Sequence, residues 1–194
     1  MQDNGPIYEA TLERPPKIFF QILIVDDEQV SRNLLRAVLN GEGYTEVDEV
    51  TTGKEAVEAL KDKEYHLVLL DKNLPEGDGL HVLKIAKELR PGVEVILITG
   101  FGTMESVIEA LDLGAYGYLT KPLPDVPIIR ARVEGALERV AVRHQNSILL
   151  GRLGKLLEQL EGAEAGSSQK AVVQRLTHAA DRLRRIIDEL KRLG

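Results

Sequence analysis

The sequence contains no cysteine and no tryptophan among its 194 residues. The lack of cysteine excludes a disulfide framework, a thiolate metal site and a cysteine nucleophile. Residues 1–17 lack the basic segment and apolar stretch of a signal peptide, and no apolar run approaches the roughly 20 residues needed to cross a bilayer. We therefore expect a soluble, cytoplasmic protein with no membrane partner.

Aromatic residues end at Tyr118, so residues 119–194 have only aliphatic side chains with which to build a core. The balance of charged residues also differs between the two parts of the chain. Residues 1–140 hold 15 Lys+Arg and 25 Asp+Glu, whereas residues 141–194 hold 10 and 6. Such asymmetry is typical of two units with different surfaces. We predict a flexible lead-in over residues 1–17, a globular domain over 18–140 and a helical module over 141–194.

Strand and helix patterns alternate five times within residues 18–140. Strands are predicted at about 19–25, 46–51, 66–70, 93–98 and 117–119, with helices at about 28–40, from 53, at 80–89 and 104–113, and from 125. Repeats of this size predict an α/β fold, a doubly wound parallel sheet with helices on both faces. Strands 1, 3 and 4 are unbroken apolar runs, which indicates central strands, and the polar second strand suits an edge.

Four predicted strands end in side chains that carry chemistry. Asp26 and Asp27 follow the first strand, Asp71 ends the third, Thr99 ends the fourth and Lys121 follows the fifth. Because ligands bind at the carboxyl ends of parallel strands, we expect these groups to converge. Carboxylates are ligands that Mg²⁺ prefers, and a carboxylate that attacks phosphorus forms an acyl phosphate. The set predicts a magnesium-dependent phosphorylation site, with Asp71 as nucleophile, Lys121 as fixed positive charge and Thr99 as hydroxyl donor.

Four parts of residues 18–140 match the motifs of one known family: Val25-Asp26-Asp27-Glu28, Leu70-Asp71 with Pro75 and Asp78-Gly79, Ile98-Thr99-Gly100, and the segment 115–122. On these motifs, residues 18–140 resemble the receiver domain of bacterial two-component response regulators. Residues 99–115 are most similar to receivers of the nitrogen-regulation activator type. The resemblance implies a flavodoxin-like strand order of 2-1-3-4-5. It also implies a protein that is not an enzyme beyond its own phosphorylation and dephosphorylation.

The resemblance further implies a metal site and a phosphoacceptor. Asp71 would accept the phosphoryl group. Asp27 and Asp71 would bind Mg²⁺ through their side chains, Asp26 mainly through water, and Asn73 through its backbone carbonyl. The sequence departs from the family's pattern at Leu74, where many receivers carry Met, but both side chains fill a similar apolar slot.

The same resemblance implies a switch and a signalling partner. Thr99 and Tyr118 would form the switch pair, and Lys121 would contact the phosphoryl group. Phosphorylation would then reorganise the surface made by helix 4, strand 5 and helix 5. The partner that supplies the phosphoryl group would be a cognate histidine kinase or a phosphotransfer protein.

The fifth helix has no clear end in the sequence. Apolar residues continue as Leu149, Leu153, Leu156 and Leu160, although Gly151 and Gly154 each weaken a helix by about 1 kcal/mol relative to Ala. Residues 161–168 are small and polar and predict a turn. A heptad seam follows, formed by Val173, Leu176, Ala180, Leu183, Ile187 and Leu190. We predict a helical hairpin that pairs with a second copy as a four-helix bundle, or that binds a downstream protein.

Two other hypotheses for residues 141–194 stay open. Residues 180–190 resemble the second helix of the histidine-kinase dimerisation domain, and His144 lies where a phosphoryl-accepting His could sit, although the residues after it depart from that family's motif. The hairpin would then be a phosphotransfer module. A basic cluster favours nucleic-acid binding, which the lack of base-stacking aromatics opposes; it comprises Arg182, Arg184, Arg185, Lys191 and Arg192.

Overall fold

The computed structural model describes residues 15–100 and 104–164, together with residues 181, 184 and 185. Residues Pro15–Ala141 form one compact unit, and the residues after Ala141 belong to a second. The predicted division into residues 1–17, 18–140 and 141–194 stays a prediction, because much of the first and last of these segments lies outside the described residues.

A five-stranded parallel sheet forms the centre of the compact unit. The strands run in the spatial order β2-β1-β3-β4-β5, and every pairing is parallel. They are β1 (Ile22–Val25), β2 (Val47–Val50), β3 (Leu67–Asp71), β4 (Glu94–Thr99) and β5 (Gly117–Thr120). Every residue of β1, β3 and β4 is buried. The predicted doubly wound α/β fold and its strand order are therefore confirmed.

Helices cover both faces of this sheet. They are α1 (Gln29–Gly41), α2 (Gly53–Asp62), α3 (Gly79–Leu89), α4 (Met104–Asp112) and α5 (Val126–Glu164). Ile22 and Ile24 of β1 pack in one apolar cluster with α1 and α5. Leu23 and Val25 pack in the other, with α2, α3 and α4. The two-residue period of a strand thus divides β1 between the two halves of the core.

Local sequence signals set where several helices begin and end. The side chain of Thr52 accepts the Glu55 amide at 3.1 Å, and the Glu55 carboxylate accepts the Thr52 amide at 3.2 Å. This reciprocal capping box begins α2. Asp78 caps α3 by accepting the Leu80 amide at 3.1 Å. Gly114, just after α4, has a φ of 88°, a conformation that favours glycine.

The first predicted strand begins too early. Lys17–Phe19 form a turn of 3-10 helix, and the Phe19 amide donates to the Pro16 carbonyl at 2.9 Å. The Phe19 ring packs against His66, with ring centroids 4.8 Å apart, and Nδ1 of His66 accepts the Gln21 amide at 2.9 Å. The apolar side chain of Phe19 packs against His66 and does not belong to the sheet. Hydrophobicity alone does not distinguish such a residue from a strand residue.

The last described helix, α5, is continuous through Gly151 and Gly154. It extends to Glu164, so residues 161–164 are helical and the turn predicted at 161–168 begins too early. Ala and Glu are good helix formers, which accounts for the longer helix. The predicted second helix of the hairpin lies outside the described residues, except for residues 181, 184 and 185. None of the helices in the described part of the chain is long and apolar enough to cross a membrane.

Candidate phosphorylation site

The predicted acidic residues meet at the carboxyl end of the sheet. Carboxylate oxygens of Asp26, Asp27 and Asp71 all lie within 4.8 Å of one another. Asp26 directly follows β1, and Asp71 is the last residue of β3. These strands are parallel neighbours, with Val25 opposite Leu70. Because Val25 and Leu70 are partners, the residues that follow them emerge side by side.

Two of these carboxylates are withdrawn from water. Asp26 and Asp71 are 0% and 3% exposed, whereas Asp27 is exposed. Burial holds the pKa of Asp26 above its ordinary value, and the nearby Asp71 adds to this effect. A hydrogen bond from the Glu28 amide at 2.8 Å and the ammonium of Lys121 act in the opposite direction. Crowded carboxylates of this kind favour the binding of a cation.

Lys121 supplies one positive charge to the cluster. Its Nζ donates a hydrogen bond to Asp71 and lies 3.1 Å from Oδ2 of Asp26 and 3.3 Å from Oε2 of Glu28. Burial lowers the pKa of the ammonium, but the hydrogen bonds to Asp71 and Asp26 outweigh burial and raise it overall. The Lys121 amide donates to the Thr99 carbonyl at 2.7 Å, which ties the residue after β5 to the end of β4. Lys121 therefore stays charged at neutral pH.

Thr99 contributes a buried hydroxyl at the same end of the sheet. The residue is 2% exposed, and its Oγ1 has no hydrogen-bond partner among the described residues. Leaving a buried hydroxyl unpaired costs about 1–3 kcal/mol. The hydroxyl can therefore donate to an oxygen that enters the site. Tyr118 lies on β5 opposite Leu97, two residues before the partner of Thr99, and is 39% exposed.

A short antiparallel ladder follows Asp71 and was not predicted. Asn73–Leu74 pair with Gly77–Asp78, and the Asn73 amide donates to Oδ1 of Asp71 at 2.9 Å. Gly77 also approaches Gly53 closely, since a Cβ built on Gly53 would lie 2.9 Å from the Cα of Gly77. Gly53 and Gly77 were the only sequence features that pointed to this contact. A single sequence does not distinguish a glycine needed for a turn from a glycine needed where two main-chain segments approach closely.

Arg32 is a second feature of the site that the sequence did not predict. It lies on α1 and is buried, and its Nη1 donates to the backbone carbonyl of Asp26 at 2.8 Å. A helical arginine is most often a surface residue. Only the tertiary structure brings this side chain to the main chain of the acidic pair.

The predicted tail residues lie apart from this set in the sequence. His144 is on an exposed face of α5, and Arg184 and Arg185 are exposed. Arg182, Lys191 and Arg192 lie outside the described residues. The phosphotransfer and nucleic-acid hypotheses therefore stay predictions.

The residues present fit a hard divalent cation. Oδ2 of Asp26 is buried and accepts no hydrogen bond among the described residues, although it lies near Lys121. The three carboxylates offer oxygen donors only, within 4.8 Å of one another. Mg²⁺ is typically held by one or two carboxylates and retains several waters. The acidic cluster can therefore supply the protein ligands of a Mg²⁺ site.

Comparisons with known proteins agree on one family. Residues 22–134 match the response regulator receiver domain. The transcriptional regulatory protein ZraR of Escherichia coli O157:H7 is 39% identical over 116 residues, which is 60% of this chain and 26% of ZraR. A putative NtrX-like response regulator of Rickettsia felis is 30% identical over 164 residues, covering 84% of this chain and 34% of that protein. This chain thus spans about a quarter to a third of these two relatives.

A solved structure supports the same assignment. The beryllofluoride-activated NtrC4 receiver domain dimer aligns with a TM-score of 0.58 and 34% identity, over 62% of this chain and 98% of that chain. Receivers of this family act in two-component signalling as phosphorylated regulators, bind Mg²⁺ at an acidic pocket and interact with histidine kinases or phosphotransfer proteins. The matched residues 22–134 make up more than half of this chain and include its acidic cluster. The chain therefore belongs to the response regulator receiver domain family.

Proposed function

We propose that this protein is a response regulator in which a histidine kinase phosphorylates Asp71 in a Mg²⁺-dependent reaction. One observation carries the proposal. Asp71, buried at the end of β3, lies in one cluster with Asp26 and Asp27 and is hydrogen-bonded to Lys121. A nucleophile, a cation site and a fixed positive charge are the parts that phosphoryl transfer needs, since its catalysis is mostly positioning and charge stabilisation.

The reaction follows from these groups. An oxygen of the Asp71 carboxylate attacks phosphorus, the bond from phosphorus to the donor breaks, and the leaving group departs with that electron pair. A bound Mg²⁺ would neutralise charge on the transferring oxygens. The side chains of Asp27 and Asp71, Asp26 mainly through water, and the Asn73 carbonyl would hold this ion. Lys121 and Thr99 stabilise the phosphoryl oxygens, Lys121 by its charge and Thr99 by donating a hydrogen bond.

Asp27→Ala tests the metal site. We expect Mg²⁺ affinity to fall at least about tenfold, because a ligand is lost. The melting temperature without Mg²⁺ should be unchanged or higher, because one of three mutually repelling carboxylates is gone. Calorimetric titration with Mg²⁺ and thermal unfolding in chelator measure the two effects. Asp112→Ala, at an exposed position on α4, is the charge-matched control. Unchanged affinity in Asp27→Ala means that Mg²⁺ binds elsewhere.

Phosphorylation of Asp71 should act through Thr99 and Tyr118. The Thr99 hydroxyl, buried and with no partner in the part of the chain that the structure describes, would move toward a phosphoryl oxygen, because a charge-assisted hydrogen bond is stronger than a neutral one. Tyr118, now 39% exposed, would turn inward behind it. The change would reach a surface of α4, β5 and α5 that exposes apolar side chains, namely Ile108, Leu111, Val126 and Ile128. A contiguous group of such side chains would favour a protein contact.

The output of the switch is proposed to be assembly through residues 141–194. Support comes from α5, which is a single helix from the compact unit to Glu164 and so joins the switch surface to the tail. Two apolar side chains on the tail part of α5, Val142 and Leu149, are 44% and 39% exposed. A second hairpin could cover them, and each buried Leu contributes roughly 1.5–3 kcal/mol. We therefore propose a homodimer through the hairpin, with a downstream protein as the rival partner.

Leu183→Asp combined with Ile187→Asp tests this assembly. We expect the wild type to be dimeric at tens of micromolar in at least one phosphorylation state and the double variant to be monomeric, because two carboxylates would enter the apolar seam. Size-exclusion chromatography with light scattering measures the mass. Arg184→Asp with Arg185→Asp is the control, since both positions are exposed. A double variant that stays dimeric would place the contact elsewhere, and a monomeric wild type would favour a heterologous partner.

A further inference from the structure

The side chain of Arg32 is buried beside the acidic cluster, and each of its three nitrogens has a polar contact. Only 9% of the side chain is exposed. Nη1 donates to the Asp26 carbonyl oxygen at 2.8 Å, and Nη2 donates to Oε1 of Gln29 at 2.6 Å. Nε lies 3.3 Å from Oε2 of Glu49. With all three nitrogens in contact, the planar guanidinium has one fixed orientation.

The contact to Asp26 acts on the peptide between two proposed metal ligands. The carbonyl of Asp26 belongs to the peptide unit that joins it to Asp27, and a peptide unit is planar. Fixing its oxygen therefore fixes the plane from which both residues extend. On the other side of Asp26, its own amide donates to the Val50 carbonyl of β2 at 3.2 Å. The main chain of Asp26 is thus held by α1 and by β2.

The charge of Arg32 is offset by Glu49 on the edge strand. One carboxylate oxygen of Glu49 faces Arg32, and the other accepts a hydrogen bond from Arg36. A bare guanidinium beside a cation site would repel Mg²⁺. With Glu49 in place, Arg32 keeps its geometry as a hydrogen-bond donor, while the carboxylate that it shares with Arg36 offsets part of its positive charge. Arg36 offers a natural comparison, because it shares Glu49 but donates to the Val47 carbonyl at 2.9 Å rather than to Asp26.

We propose that Arg32 is a positioning residue for the divalent cation, acting through the Asp26–Asp27 peptide, with Glu49 as its counter-charge. The inference rests on the proposed Mg²⁺ site. The proposal and simple electrostatics predict opposite changes in Mg²⁺ affinity when Arg32 is neutralised. If Arg32 acted only as a nearby positive charge, neutralising it would strengthen Mg²⁺ binding. If it positions the ligands, neutralising it weakens binding.

The test compares Arg32→Met with Arg36→Met. Each removes one positive charge from α1 and one partner from Glu49, but only the first frees the Asp26 carbonyl. Isothermal titration with Mg²⁺ gives the dissociation constant, and circular dichroism checks the fold. We expect Arg32→Met to raise the Mg²⁺ dissociation constant about tenfold, the lower end of what loss of an outer-shell contact costs. Arg36→Met should stay within about twofold of wild type, because its contacts do not reach the ligands.

The outcomes separate this inference from the proposed function. A wild type that does not bind Mg²⁺ overturns both. A wild type that binds, with Arg32→Met equal to it or tighter, overturns only the positioning role, as does an equal loss in the two variants. If Arg32→Met does not fold, Arg32→Lys replaces it. Lysine keeps the charge without the three-nitrogen fork, so we expect Mg²⁺ affinity to be weaker than that of the wild type. Wild-type affinity in Arg32→Lys overturns the inference.

Discussion

Asp71→Asn should abolish phosphorylation by a small phosphodonor. In the presence of Mg²⁺ and an acyl phosphate, the wild type should gain about 80 Da, one phosphoryl group, and the variant should gain nothing. The substitution keeps the size of the side chain but replaces a carboxylate with an amide, which is a poor nucleophile. It also removes a charged partner of Lys121. Intact-protein mass spectrometry under conditions that preserve acyl phosphates measures the result.

Asp78→Asn provides the matched control for that experiment. Asp78 lies on the same loop and accepts the Leu80 amide as the cap of α3. Asparagine caps helices about as well as aspartate, so this variant should fold and be phosphorylated like the wild type. An equal mass gain in wild type and Asp71→Asn would contradict the assignment of Asp71. A loss in both variants would indicate that the loop, rather than the carboxylate, was disturbed.

The sheet was predictable from the sequence because its central strands are buried on both faces. Residues 22–25 of β1, 67–70 of β3 and 95–98 of β4 are apolar at every position, and such runs are short and bounded by polar residues. The reactive groups come directly after those runs. Once the strands are recognised, the parallel arrangement alone brings Asp26 and Asp71 to one edge. The convergence of the candidate site residues could therefore be predicted before their distances were known.

The features that were not predicted depend on approaches between distant segments. The 3-10 turn at Lys17–Phe19 follows from packing against His66, and the contact of Gly53 with Gly77 joins α2 to the loop after β3. Arg32 is five residues after Asp27 on a helix, a position that a sequence pattern assigns to solvent. In each case the residue type is compatible with several environments, and the tertiary structure selects one.

Gly79→Ala should destabilise the protein strongly, although Gly79 looks like an ordinary turn residue in the sequence. A Cβ at this first residue of α3 would lie 2.4 Å from the carbonyl oxygen of Asp71 and 2.7 Å from the Cα of Lys72. Both atoms belong to the main chain and cannot rotate away. The Gly79 amide also donates to the Lys72 carbonyl at 2.9 Å, so the two segments are held together. We expect a loss of about 3 kcal/mol in the free energy of unfolding, typical of severe overpacking.

Chemical denaturation of Gly79→Ala beside Gly41→Ala measures this loss. Gly41 is the last residue of α1, and an added Cβ there meets nothing within 4 Å. Its substitution should leave the free energy of unfolding unchanged or raise it by up to about 1 kcal/mol, because alanine is the better helix former. A Gly79→Ala variant as stable as Gly41→Ala would mean that α3 can move away from β3 at little cost. If the main chain of Asp71 moved instead, the proposed phosphoacceptor would be displaced, and a stable variant should then show weakened Mg²⁺ binding.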